Sequence, residues 1–244
     1  MSRIAQGKAR LRKRAESTNR NRRAIGRPAA GSQGVGRDAL IDKTCDLLTE
    51  LPPNRVTRAE VARHTNVDPS LIRYYFHDRS SLLIAAAEKL SMKFGVMVEE
   101  EMREAEATPE GILRARVAAI LKFETSYPFF HRLLLEEVMT SKTPAAKKLL
   151  NDLTQRGVEA YGKIVNGGVR EGSLRKVDTA FLFLAVIGMC EFFVAGMPML
   201  KVALGGKADV KTTGPRYESF VSDLLLNGLA ANGKSSAKRS RARA

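Results

Sequence analysis

Apolar side chains recur at spacings of three and four residues through most of the chain after residue 37, a pattern typical of amphipathic α-helices. The first such run begins at Leu40 and ends at Leu51, where Pro52-Pro53 stops it. No stretch alternates apolar and polar residues for the length of a β-strand. The pattern therefore predicts an all-α protein.

Two local signals predict short helices after this first one. Thr57 followed by Glu60 has the pattern of a capping box and predicts a helix over about 58–64. Asp68-Pro69 supplies an N-cap and a proline at the first helical position, which predicts a third helix over about 69–76.

A fourth, long helix is predicted to begin after Asp78, with apolar residues from Leu82 to Met102. Further helices are predicted at 110–126, 128–140, 144–171, 178–196 and 215–231, which makes about nine. Proline lies at or near the starts of several of them, as helix ends favour. Gly205-Gly206 and the polar residues to about 214 predict a mobile loop.

The chain has a formal net charge of +15, and its basic residues are concentrated in the two tails. Residues 1–37 hold eleven Lys or Arg against one acidic residue, Glu16, and residues 233–244 hold five against none. The Arg, Gly and Ser content of the first segment predicts a disordered basic arm over 1–36, and a similar disordered tail is predicted over 232–244. A neutral body with basic tails favours a polyanionic partner, nucleic acid before membrane.

Composition also excludes several classes of protein. Cys45 and Cys190 lie in apolar helical patterns far apart in sequence, so buried thiols are expected rather than a disulfide or a metal pair. No apolar segment of a secretory signal precedes residue 38. Residues 179–200 contain one charge, Glu191, and a carboxylate at the centre of a spanning helix costs about 2.5 to 3.5 kcal/mol. We therefore expect a cytoplasmic protein with no membrane partner.

A tight turn of three residues, Thr65-Asn66-Val67, joins the second and third predicted helices, which is the arrangement of a helix-turn-helix. In that motif the second helix enters the major groove of DNA. The inner seam is predicted to contain Val61, Val67, Ile72 and Phe76. The outward surface is predicted to contain Ser70, Leu71, Arg73, Tyr74 and His77. The alternative is that this cluster only caps a helical bundle, with Tyr74 and Tyr75 packed inside it.

The segment TRAEVARHTNVDPSLIRYYFHDRSSLL resembles the tetracycline repressor (TetR) family of bacterial transcription regulators. Val61-Ala62, Val67, Tyr75-Phe76 and Leu82 keep the family pattern. Asn66 replaces the turn glycine, and asparagine tolerates the left-handed conformation better than most residues. Arg73 replaces a phosphate-contacting tyrosine, and Arg79 replaces a lysine at the start of a helix. Both arginines retain a phosphate donor, and Arg73 can alternatively read a guanine edge.

The resemblance implies two domains, with a helix-turn-helix DNA-binding domain over 37–84 and a helical effector-binding and dimerisation domain over 85–231. It implies that Thr57 and Arg79 bind phosphates, and we add Arg58 to the expected DNA surface. Arg73, Tyr74 and His77 also belong to that surface. The resemblance further implies that base edges are contacted by Pro69, Ser70 and Leu71.

The basic arm has one candidate reader of the minor groove, Arg27 in Gly26-Arg27-Pro28. A purely electrostatic arm is the alternative, and in either case affinity should depend steeply on salt.

The resemblance also implies a homodimer formed by two helices of each subunit, and the apolar stretches near 178–196 and 215–231 fit that role. The first is apolar nearly all round, as expected of a helix covered by its own subunit and by a partner. A helix buried only within its own chain is the alternative. A dimer would place two recognition helices about 34 Å apart on a near-palindromic operator.

Met and aromatic residues are frequent between these parts of the chain, where the family commonly encloses an effector pocket. Such side chains line adaptable pockets but also form ordinary cores. Glu191 is unusual in an apolar helix and is expected to be paired, to cap a group at an interface, or to face a ligand. The candidate ligand-binding residues are Phe94, Met97, Phe123, Tyr127, Phe130, His131, Tyr161 and Glu191.

The sequence thus predicts a dimeric, sequence-specific DNA-binding regulator, a repressor released by a small apolar effector. The alternative is a sequence-tolerant architectural protein that binds nucleic acid through its basic arms and has no effector. An enzyme is not expected, because His64, His77 and His131 lack metal-ligand spacing and no phosphate loop or nucleophile arrangement is present. No catalytic residue, metal or cofactor is predicted.

Overall fold

The computed structural model describes residues 35–231, which form ten α-helices and, within that range, no strand longer than an isolated bridge. The helices are α1 (Arg37–Glu50), α2 (Arg58–Thr65), α3 (Pro69–Tyr75), α4 (Arg79–Glu104), α5 (Pro109–Ser126), α6 (Phe130–Leu133), α7 (Pro144–Arg170), α8 (Thr179–Ala195), α9 (Met197–Ala203) and α10 (Val210–Leu229). A 3₁₀ turn (Pro53–Arg55) precedes α2, and a π-helical segment (Leu134–Met139) continues α6. The predicted all-α class is confirmed.

Two helix predictions need correction. The helix predicted over 128–140 is a single α-turn, α6, followed by the π-helical segment. The loop predicted over 205–214 is shorter than expected, because α10 begins at Val210 and Pro215 lies inside it. Asp209 makes the earlier start possible, since its carboxylate accepts a hydrogen bond from the Thr212 N–H at 2.9 Å.

The first four helices enclose a small apolar core. α1 packs on α4 and α2, and α2 packs on α3. Their fully buried side chains include Leu40, Cys45, Val61, Ile72 and Leu83. All described helices belong to one compact unit that begins at Arg37, and α4 runs without a break through residue 84, where we propose that the DNA-binding part ends.

The larger core lies between α5, α7, α8 and α10. Its buried members include Leu113, Val117, Ile120, Tyr161, Ile164, Val186, Cys190, Val221 and Leu225. Both cysteines are free and buried, as expected from the sequence, and burial raises the pKa of each thiol to about 12. These thiols therefore stay protonated at neutral pH.

Within residues 35–231 no single helix combines the length and apolarity needed to cross a bilayer. The pair α8 and α9, bent by 71° at Gly196, meets such a criterion only when the two helices are taken together.

Candidate functional site

The turn between α2 and α3 has the geometry of a helix-turn-helix. Asn66 ends α2 in the left-handed conformation, with φ 52° and ψ 42°. The Val67 N–H then donates to the Ala62 carbonyl at 3.1 Å, which satisfies a carbonyl that the helix end would leave free. The prediction that asparagine supports this turn is confirmed.

Side-chain caps fix where both helices begin. The Thr57 hydroxyl accepts from the Glu60 N–H at 3.1 Å, but the Glu60 carboxylate turns to Arg63, so the predicted capping box is only half formed. At α3, Asp68 accepts from the Ser70 N–H at 2.7 Å, with Pro69 as the first helical residue. Hydrogen bonds from Ser70 hold the pKa of the Asp68 carboxyl below its usual value.

Polar and aromatic side chains are exposed on α3 and at His77, two residues past its end, and we call this surface the outer face of α3. Ser70, Arg73 and His77 are exposed to solvent, and Tyr74 is 80% exposed. Its ring meets Tyr75, which is half-buried, edge to face at 5.1 Å. The outer face therefore matches the predicted groove surface in these positions.

Leu71 departs from that expectation because it is half-buried rather than outward-facing. Thr57 and Pro69 are exposed beside the α3 face, and Arg58 is half-buried. The Arg58 guanidinium donates to the His77 carbonyl at 3.1 Å and so links the start of α2 to the end of α3. Arg27 lies outside the residues that the structure describes.

Arg79 is held by acceptors of its own chain. Its Nε donates to the Val56 carbonyl at 2.9 Å, and a second nitrogen donates to the Pro53 carbonyl. Its Nη1 lies 2.6 Å from Oε1 of Glu137, a buried carboxylate in the π-helical segment. The guanidinium is engaged by these acceptors while its side chain stays 32% exposed, so phosphate binding by Arg79 stays a prediction.

Four of the candidate ligand residues form an aromatic cluster centred on Phe123. The centre of the Phe123 ring lies 5.2 Å from that of Phe94, 5.0 Å from that of Tyr127 and 4.9 Å from that of Phe130. Phe123 and Phe130 are buried and the other two are half-buried. The cluster joins α4, α5 and α6, and Met97 is half-buried farther along α4.

Tyr161 belongs to the core rather than to this cluster. It is fully buried on α7, and its ring lies 6.1 Å from Phe183. The Arg116 guanidinium carbon lies 5.0 Å from the Tyr161 ring centre, within the range of a cation–π contact. Burial raises the pKa of the Tyr161 hydroxyl to about 12.

Glu191 is paired, which was one of the three roles expected for it. Its Oε2 lies 2.8 Å from Nδ1 of His131. Burial raises the pKa of Glu191 to about 7 and lowers that of His131, so each group favours its uncharged form.

A second carboxylate, that of Glu124 on α5, lies near enough to Glu191 to be influenced by its charge and was missed by the sequence prediction. It is 7% exposed, and burial together with the nearby Glu191 raises its pKa to about 8. A signal was present in the sequence, because Glu124 is seven residues after Val117, on the inward face of α5. Glu137, seven residues after Phe130, was missed in the same way.

No group of three His, Cys, Asp or Glu side chains in the described part of the chain is arranged to hold a metal ion.

Large apolar side chains remain exposed on the outer side of α8 and α10. They are Phe181, Leu184, Phe192, Phe220 and Leu224. We call these five residues the outer apolar face. A groove of about 300 Å³ between Phe192 and Tyr217 continues this face toward α9.

Comparison with known proteins agrees with this architecture. Residues 106–234 match the family described as "Tetracyclin repressor-like, C-terminal domain". A segment of 94 residues is 30% identical to the HTH-type transcriptional regulator BetI of Escherichia coli, which covers 38% of this chain and 47% of that protein. The chain thus spans about half the length of the curated relatives it matches.

Two solved structures share the fold. A regulatory protein of the tetR family from Rhodococcus superimposes with a TM-score of 0.61 at 14% identity, covering 80% of this chain and 97% of that one. The transcriptional regulator FadR from Bacillus subtilis, solved in complex with stearoyl-CoA, gives 0.57 at 18% identity, covering 78% and 97%.

Proposed function

Because this chain belongs to the TetR family of transcriptional regulators, and is therefore a regulator rather than an enzyme, we propose that it is a dimeric repressor that reads a near-palindromic operator and is released by a small effector. The single observation that carries the proposal is the outer face of α3. Arg73 and Tyr74 are exposed there, on a helix that follows the Asn66 turn and begins at the Asp68 cap, and His77 is exposed two residues past its end.

The chemistry of that face supports the proposed reading of DNA. Arg73 can donate to a phosphate or to a guanine edge, and Ser70 and His77 are short polar side chains near the same groove. Thr57 and Arg58 at the start of α2 are positioned to contact phosphates, as one helix of such a motif crosses the backbone. The half-buried Leu71 would offer only part of its side chain to a base.

The outer apolar face supports the proposed dimer. Single exposed apolar side chains are common on protein surfaces, but here five large ones lie together on two neighbouring helices. Such a patch is typical of an interaction surface. A two-fold axis through this face would pair α8 and α10 with the same helices of a second copy. The pairing would fix the distance between two α3 helices, which a near-palindrome requires.

Effector response has a structural route between the two parts of the molecule. Glu137 lies in the π-helical segment that continues α6, and its partner Arg79 holds two carbonyls just before α2. A ligand that moves α6 therefore changes the support of the DNA-reading unit. Release then requires only that the ligand bind better to the conformation in which this support is lost.

Footprinting on DNA upstream of the gene tests the proposal. We expect protection of a near-palindrome with half-sites about one helical turn apart. Folded protein that protects no such sequence would refute the proposal.

The alternative function, arm-driven binding without sequence preference, rests on the eleven basic residues of segment 1–37. Removing residues 1–34 distinguishes the two. The repressor hypothesis predicts weaker binding with the same protected sequence, whereas arm-driven binding would be lost altogether.

A further inference from the structure

We propose that α9 is part of the subunit interface and that the groove between Phe192 and Tyr217 receives the partner subunit's Phe181. The proposal rests on the dimer of the proposed function, and it adds to that dimer a third helix and a defined contact. Because a two-fold dimer is symmetric, each dimer contains this contact twice.

The exposed residues of α8 include no charged side chain. They are Ala180, Phe181, Leu184, Ala185, Gly188, Phe192 and Ala195. The outward side of a helix in contact with water is normally polar. The apolar character continues into α9, where Met199 is 67% and Val202 is 83% exposed. The surface that needs a cover therefore extends beyond α8 and α10.

The area of this surface indicates that α9 takes part in the interface. Exposed fractions of 53% to 74% leave roughly 600 Å² of the outer apolar face uncovered, since a buried aromatic side chain covers about 150 to 250 Å². Met199 and Val202 add roughly 250 Å² on the same basis. A stable interface of standard size buries about 800 Å² on each partner. The outer apolar face reaches that size only when α9 is included.

The groove is apolar and has room for one aromatic ring. Tyr217 of α10 stacks on Phe193 of α8 with ring centres 4.6 Å apart, and its hydroxyl donates to the Met189 carbonyl at 2.8 Å. The α9 residues along the groove are Met199, Leu200 and Ala203. The groove measures about 300 Å³, and an apolar cavity of about 150 Å³ is enough to bind benzene.

The groove lies where α8 gives way to α9. The chain bends there by 71°, and residues on both sides of the bend line the groove. An added Cβ at Gly196 would lie 2.7 Å from the carbonyl oxygen of Phe192 and 3.0 Å from its ring. The bend therefore admits no side chain at Gly196, and the glycine lets α9 begin directly beside the Phe192 ring.

Phe181 and the groove lie at opposite ends of α8. Phe181 is in the first turn and is 74% exposed, whereas Phe192 is in the last turn and Gly196 follows it. An isologous interface pairs one surface with itself, so the exposed ring and the groove meet when the two α8 helices run antiparallel. With Gly188 at the two-fold axis, the partner subunit's Phe181, seven residues before it, lies opposite Ala195, seven residues after it. Ala195 adjoins the groove.

A second copy fits this surface better than other partners do. Among the exposed residues from 181 to 200 none is charged, so the surface offers nothing to a nucleic acid or to an acidic protein. A small ligand would fill the groove but would leave Phe181 and Leu184 in water. A second copy supplies an apolar surface of the same extent together with the ring that the groove accepts.

Sedimentation equilibrium of the full-length protein tests the contact. Phe181→Ala removes the ring and Ala203→Phe fills the groove, and each should raise the dissociation constant of the dimer at least about tenfold. Two control variants should leave that constant unchanged. Met92→Ala removes an exposed apolar side chain from α4, and Ala39→Phe adds a ring at an exposed position of α1.

Mixing the two interface variants gives a readout that loss of folding cannot imitate, because only folded subunits pair. In the mixed dimer, Phe181 of the groove-filled subunit enters the open groove of the other subunit. The filled groove then faces the shortened side chain, so the second contact also avoids a clash. Native mass spectrometry of an equimolar mixture should therefore show more mixed dimer than random pairing produces.

Each contrary result has a distinct meaning. Random pairing of the two variants, or a dissociation constant that neither substitution changes, would overturn the proposed contact while leaving the dimer itself in place. Loss of Nile red binding by Ala203→Phe with unchanged dimerisation would assign the groove to a small apolar ligand and would also overturn it. Wild-type protein that sediments as a monomer would refute the dimer of the proposed function.

Discussion

Arg79 and Glu137 are joined across 58 positions of sequence by a contact of 2.6 Å between Nη1 and Oε1. Arg79 starts α4, and Glu137 lies in the π-helical segment after α6. The same guanidinium holds the carbonyls of Pro53 and Val56, so one side chain ties the turn before α2 to the π-helical segment after α6. Irregular π-helical turns are often found at functional positions, which agrees with a coupling role here.

Replacing Glu137 by Gln should loosen this tie. Glu137 is buried and Arg79 is only partly exposed, so removing the negative charge leaves a poorly solvated cation. We expect the free energy of unfolding to fall by about 1 to 3 kcal/mol, measured by urea denaturation. Glu136→Gln is the control, because its pair with Arg132 is more exposed and should change stability by less than about 1 kcal/mol. Equal effects of the two variants would contradict a coupling role for Glu137.

The turn residue gives a prediction about backbone conformation. Asn66 has a positive φ, which Gly adopts without cost and Ala does not. Asn66→Ala should lower the free energy of unfolding by about 1 to 2 kcal/mol, whereas Asn66→Gly should stay within about 0.5 kcal/mol of the wild type. Thermal or urea unfolding of both variants checks this. An alanine variant as stable as the glycine variant would show that the left-handed turn is not needed.

Gly188 gives a prediction about dimerisation. A Cβ atom at Gly188 would meet no atom within 4 Å beyond its chain neighbours and the backbone of its own helix, yet this glycine lies on α8 between Leu184 and Phe192 of the outer apolar face. Gly188→Leu should therefore leave the single chain folded but weaken a dimer in which α8 helices approach closely, by at least about tenfold in dissociation constant. Sedimentation equilibrium measures this.

Gly95 provides the matched control for that experiment. It also has no atom within 4 Å of an added Cβ, but it lies on the exposed side of α4, away from the outer apolar face. Gly95→Leu should not change the dissociation constant. A dimer unaffected by Gly188→Leu, or one equally weakened by Gly95→Leu, would place the interface elsewhere.

Glu124 should make stability fall as pH rises. Its pKa is near 8 in the folded protein and close to 4.5 when unfolded, so the unfolded chain loses this proton first. The contribution of Glu124 to the free energy of unfolding is fully present below about pH 4.5. It falls by about 2 to 4 kcal/mol as pH rises toward 8.

Urea unfolding at pH 5.5 and pH 8 measures that slope. Glu124→Gln should reduce it, and the remainder should reflect Glu191, whose pKa near 7 is also raised by burial. Glu110→Gln should leave the slope unchanged. A wild-type protein that gains stability over this range would contradict the assigned burial of Glu124.

Features set by neighbouring residues were predictable from sequence. The helix start at Asp68-Pro69 and the turn at Asn66 depend only on residues two to five positions away in sequence. The structure contains both as expected. Pro215 shows where a local rule fails. It was expected near a helix start, but the cap at Asp209 begins α10 five residues earlier.

Contacts between distant segments were not predictable in this way. The position of Arg79 in a DNA-binding motif suggested a phosphate, because nothing near it in sequence reveals the carbonyls of Pro53 and Val56 or the Glu137 carboxylate. Glu124 was overlooked for the same reason. Its inward direction can be deduced from helix periodicity, but its approach to Glu191 depends on how α5 packs against α8.

We propose above all that the outer face of α3 reads DNA sequence. The most direct test is the ratio of affinities of the full-length protein for its footprinted site and for a scrambled duplex of equal length, at one salt concentration. We predict a ratio of at least about 10³ for the wild type and a fall of about tenfold or more when Arg73 and Tyr74 are both changed to Ala, with binding to the scrambled duplex much less affected. A ratio unchanged by the double substitution would show that DNA sequence is read elsewhere in the protein and would refute this role of α3.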